Sequence, residues 1–97
     1  MKNFTEIKEI LETMKPVLEQ QYKVKEIGVF GSYAKYKQQE KSDLDILVEF
    51  EETPTLLQFI NLKNYLSDIL EVKVDLVMKT ALKPHIGKSI LKEVIFI

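Results

Sequence analysis

Residues 27–50 read IGVFGSYAKYKQQEKSDLDILVEF, and the alternation inside this stretch decides the fold. The segment 24–30, VKEIGVF, is rich in β-branched and aromatic residues and predicts a strand, which Gly31 and Ser32 punctuate. YAKYK at 33–37 is a short helical candidate, and QQEKS at 38–42 reads as a polar loop. From residue 43 the pattern alternates strictly. Leu44, Ile46, Val48 and Phe50 share one face and predict the core side, while Asp43, Asp45, Leu47 and Glu49 share the other. The link between the two strands is too short for a parallel crossover, so the sheet is expected to be mixed or antiparallel.

Outward from this stretch the chain reads as helices and one further strand. Asn3 and Glu6 fit a capping box. Phe4, Ile7, Leu11, Met14 and Leu18 then recur at helical spacing, with Pro16 placed to kink or divide the helix. Thr53 as N-cap and Pro54 at the first helical position open a second helix through TLLQFINLKNYLSDIL, whose broad apolar face predicts deep burial. VKVDLVM at 72–78 is a third strand interrupted by Asp75. KPHIGKSILKEV is a short final helix, and the ending VIFI is either an added strand or an interface. The expected fold is a small α/β (α+β) domain covering residues 1–97, with a mixed sheet flanked by helices.

Composition bounds the function. With 45% hydrophobic and 30% charged residues, the chain reads as a soluble globular protein. No apolar run approaches the ~20 residues that span a bilayer, and the acidic residues of FTEIKEILETM break any signal-like segment. A cytoplasmic location and no membrane contact are expected. There is no Cys, so a metal site would have to use oxygen or imidazole donors. The net charge of -1 offers no general attraction to polyanions, and direct nucleic-acid binding is not expected. Every basic residue is Lys, so phosphate would be met by ammonium groups or backbone amides without the fork geometry of Arg.

The acidic residues are unevenly spent. Glu supplies most of the surface charge, whereas Asp43, Asp45 and Asp75, three of the four Asp, sit in or at the mouth of predicted strands, where Asp is disfavoured. Period two brings Asp43 and Asp45 to one face, about 6 to 7 Å apart at Cα, close enough to share a hard cation such as Mg²⁺ or Mn²⁺. An isolated pair of this kind is more often a solvated strand edge. Gly31 and Ser32, ten residues before SDLD, would allow a phosphate to approach the backbone at the start of a helix, although the dipeptide alone is more simply a plain turn. Lys35 either screens a polyphosphate or is solvated. Lys37, Glu49 and the lone His85 read as surface residues.

Taken together, FGSYAKY, then SDLDILVEF, then VDLV resemble the minimal nucleotidyltransferases of the DNA polymerase beta superfamily, and LKPHIGKSILKE is similar to their C-terminal segment. The resemblance implies a polymerase beta-like fold. It also implies that Asp43 and Asp45 bind two Mg²⁺ ions, with Mn²⁺ as an alternative, that Asp75 completes the catalytic metal site, and that Gly31 and Ser32 hold the triphosphate of ATP. It departs from the family where Lys35 and Tyr36 replace a common Arg and Gly.

The family implies an antitoxin of a toxin-antitoxin system that transfers AMP to a tyrosine of a HEPN-type toxin. A chain of this size has no room for an acceptor domain, so the acceptor is expected on a partner. The alternatives are a non-catalytic antitoxin that acts by contact and a nucleotide sensor that binds without transfer.

Overall fold

The computed structural model describes residues 2–35, 37 and 42–97. Its elements run α1 (Phe4–Tyr22), β1 (Val24–Phe30), β2 (Leu44–Phe50), α2 (Leu56–Leu70), β3 (Val74–Met78), a 3-10 turn (Lys79–Ala81), α3 (Pro84–Glu93) and β4 (Ile95–Phe96). The sheet order is β3-β2-β1-β4. β1 lies antiparallel to β2 and to β4, while β2 and β3 are parallel, joined by the α2 crossover. The mixed sheet therefore follows from one short connection and one long one.

Register fixes the two faces. Ile95, Val29, Ile46 and Leu76 form one row across all four strands. Beneath that row lies the apolar core, where Ile7, Leu11 and Leu18 of α1 meet Leu62, Leu66 and Leu70 of α2. The second face carries the row Phe30, Asp45, Asp75 and, two residues along, the row Phe96, Gly28, Leu47, Val77. Leu47 was expected to be on the open side with the acids, yet it is buried. Gly28 beside it has no side chain, and the space a Cβ would take there is occupied by the Val94 side chain, 2.6 Å from that position. The corner between α3 and β4 thus covers the middle of this face and leaves its acidic row at the margin.

Helix ends explain the remaining differences. Asn3 caps α1 by accepting from the Glu6 amide at 2.9 Å. α1 continues unbroken through Pro16, which lies on its exposed side. α2 starts later than its Thr53-Pro54 signal predicts: Thr55 is the N-cap, and it forms a reciprocal capping box with Gln58. The first turns of α2 also lie outside the core, leaving Leu56, Leu57 and Ile60 exposed. The ending VIFI contributes a short edge strand, with the Ile97 amide donating to the Ile27 carbonyl at 2.9 Å. Among the described residues no helix is long and apolar enough to cross a membrane.

Candidate active site

The site begins where β1 ends. Gly31 takes φ +73°, a left-handed conformation that L side chains rarely adopt, and a Cβ there would run into the Asp45 carboxylate. Glycine is therefore required twice over, by backbone conformation and by the acid packed against it. Residues 31–35 form a turn, where a short helix was expected. The Lys35 amide donates to the Gly31 carbonyl at 3.2 Å and the Lys37 amide to the Ser32 carbonyl at 2.8 Å. Tyr36 and most of the 38–42 loop lie outside the described residues.

Parallel pairing of β2 with β3 sets Asp45 beside Asp75. Burial, the Asp75 charge, a hydrogen bond to the Asp75 side chain and the Asp43 charge push the Asp45 carboxyl up to about 6. Two carboxyl groups can share a hydrogen bond only if one keeps a proton, and a divalent cation can take that proton's place. Asp43 sits on the exposed approach to β2, its Oδ2 4.0 Å from Lys73 Nζ. As the side chains stand, no three acidic or imidazole groups among the described residues already surround an ion-sized point. The Asp45–Asp75 pair is the pre-formed part, and Asp43 would have to turn inward to join it. The donor set, all carboxylate oxygen, fits Mg²⁺ or Mn²⁺.

Other candidates fall into place around this row. Lys35 is bound by Glu93, the last residue of α3, at 2.9 Å. Lys37 and His85 are exposed. Glu49 is half-buried on the acid face and lies 4.0 Å from Lys79, which also holds Glu26 at 3.2 Å and sits 5.7 Å from the centroid of the Phe96 ring. Glu49 thus belongs to a structural ion cluster across the strands.

Two neighbours were not read from the sequence. Tyr33 is almost wholly buried in the core and fixes the turn from below. Its hydroxyl is raised above the usual tyrosine range by burial and then by the Asp43 charge. The signal was available, since an aromatic residue two places after Gly31 in a polar stretch needs a place to pack. Glu93 carried no comparable signal, because nothing in the local pattern brings the end of α3 to a turn near residue 35.

Comparisons with known proteins bear on the family and the fold. Residues 7–97 match the model of the nucleotidyltransferase domain family. Protein adenylyltransferase MntA of Thermococcus cleftensis is 50% identical over 97 residues, spanning 100% of this chain and 98% of its own. A solved structure described as a minimal nucleotidyltransferase superposes with a TM-score of 0.84 at 34% identity, covering 97% of this chain and 95% of that one. A chain of a crystallised toxin-antitoxin complex with AMP-PNP superposes with a TM-score of 0.71 at 25% identity, covering 98% and 72%.

Proposed function

The chain belongs to the nucleotidyltransferase domain family, as one of its minimal members, and from that premise we propose that it is a metal-dependent protein adenylyltransferase acting as an antitoxin. Its substrates in this reading are ATP and a tyrosine of a HEPN-type toxin. The observation that carries it is the Asp45–Asp75 pair on adjacent parallel strands, packed against Gly31. The relative named as a protein adenylyltransferase supports the reaction class, and the similar toxin-antitoxin complex with AMP-PNP supports an adenine nucleotide and a protein partner.

Asp43, Asp45 and Asp75 would hold the divalent cations, which when bound neutralise triphosphate charge and acidify the attacking hydroxyl. The protein's own part is positioning. Gly31 keeps the floor of the site free of side chain, Ser32 offers a hydroxyl, and buried Tyr33 fixes the turn that carries both. In the transfer the tyrosine oxygen bonds to the α-phosphorus, the bond from that phosphorus to the bridging oxygen breaks, and pyrophosphate leaves with the electron pair while the hydroxyl proton is released. Effective molarity from holding both reactants in line can supply much of the acceleration.

The test is mass spectrometry of a co-purified HEPN-type partner after incubation with ATP and Mg²⁺. Added AMP is expected with the wild type and none with Asp75→Asn. A second reading, neutralisation by contact alone, draws on the exposed Leu56, Leu57 and Ile60 of α2. It would displace the first if an Asp43, Asp45 double variant neutralised an unmodified partner as well as the wild type does.

A further inference from the structure

We infer that Glu93 sets nucleotide affinity by holding Lys35 in competition with the triphosphate. The inference rests on reading the 31–35 turn as the triphosphate cradle, and it goes beyond that reading by assigning a role to the end of α3. Three observations carry it. Lys35 Nζ lies 2.9 Å from Glu93 Oε1, with both side chains partly exposed, so the bond can exchange with solvent or ligand. Glu93 is the last residue of α3, where a negative charge meets the negative end of the helix dipole and is disfavoured unless a cation offsets it. Both backbones are anchored: Lys35 through the hydrogen bond its amide donates to the Gly31 carbonyl, and Glu93 through Val94, seated on Gly28, and Ile95, paired with Val29.

An ammonium on the turn that starts at Gly31 is well placed to meet phosphate oxygens, but in the free protein it already has a carboxylate. Binding a polyanion there requires Lys35 to leave Glu93 or to share its protons with it. Glu93 is thus a positioning residue that acts through Lys35, and its effect on affinity must disappear when Lys35 is neutral. A bridge that only ties α3 to the turn would instead change melting temperature and leave nucleotide affinity alone.

The test is a double-variant cycle on the full chain, titrating AMP-PNP with Mg²⁺ by calorimetry. Glu93→Gln is expected to lower Kd by about fivefold at low ionic strength, the scale of an exposed ion pair, with the gain shrinking as salt is raised. Lys35→Met is expected to raise Kd, and the Lys35→Met, Glu93→Gln pair to match Lys35→Met alone. An unchanged or raised Kd for Glu93→Gln would overturn the inference. So would a gain that persists undiminished without Lys35. Wild-type protein that binds no AMP-PNP with Mg²⁺ would remove the nucleotide reading itself, an outcome distinct from binding without coupling.

Discussion

Burial, and then the acidic neighbours, make Asp45 hold its proton more tightly than a free carboxyl does, with consequences for stability and for binding. Its carboxyl is raised to about 6, while in an unfolded chain it titrates near the ordinary Asp value of about 3.9. The folded state therefore holds the proton more tightly. Its stabilising contribution is complete below about pH 4 and is lost as pH rises through about 6. In EDTA the protein should lose on the order of 1 to 2 kcal/mol between pH 4.5 and 7.5, after allowance for solvent screening of a half-buried group. Urea denaturation at the two pH values measures this. Asp45→Asn should flatten the difference, and an equal slope in that variant would show that another group is responsible. Gly31 gives a second test at this scale. Gly31→Ala should cost about 1 to 3 kcal/mol through its left-handed φ and also weaken AMP-PNP binding, because the new methyl displaces Asp45. Gly28→Ala crowds Val94 instead, so it should cost stability without touching the Asp45 carboxylate.

At the scale of elements, α1 shows how far local rules extend. Pro16 predicts a kink or a break, and the helix does not break, running from Phe4 to Tyr22 with Pro16 on its exposed side. Burial of Leu11 before it and Leu18 after it outweighs the lost hydrogen bond. Pro16→Ala should therefore stabilise the protein by about 1 to 3 kcal/mol, since it restores a helical donor at a small cost in unfolded-chain entropy. Thermal denaturation would register the gain as a higher melting temperature, and a loss would mean that the ring itself packs usefully. The strands were legible because alternation in DLDILVEF and the Gly31-Ser32 punctuation are local signals. The burial of Leu47 was not, since it depends on a glycine in β1 and a valine in the distant α3–β4 corner. The exposure of Leu56, Leu57 and Ile60 was not legible either, because the apolar periodicity of α2 continues into them. As candidates for the site, Asp43, Asp45, Asp75 and Gly31 could be singled out from residue type and position. The pairing of Lys35 with Glu93 could not, because it joins elements far apart in sequence.

For the whole molecule, the acidic row is a local charge excess on a chain whose net charge is only -1. Asp45 and Asp75 repel each other when both ionise, with Asp43 adding to the field, so at neutral pH the folded state carries a strain that a divalent cation would relieve. A ligand that binds only the folded protein adds about 2.7 kcal/mol at a hundredfold excess over its dissociation constant. For a domain near this size that is a rise of roughly 10 °C or more in melting temperature. Mg²⁺ or Mn²⁺ with AMP-PNP should produce such a rise at pH 7.5 and a smaller one at pH 5, where a proton already occupies the Asp45–Asp75 pair. The direction is set by competition: cation and proton take the same oxygens, so acid weakens the metal's contribution while strengthening the apo fold. Asp45→Asn should remove most of the rise at pH 7.5 without lowering the melting temperature in EDTA, because the substitution also removes the repulsion. Scanning calorimetry of wild type and variant, with and without metal and nucleotide at both pH values, measures all of these terms. An undiminished rise in Asp45→Asn would place the cation elsewhere, and a rise of equal size at pH 5 would separate metal binding from the titrating pair.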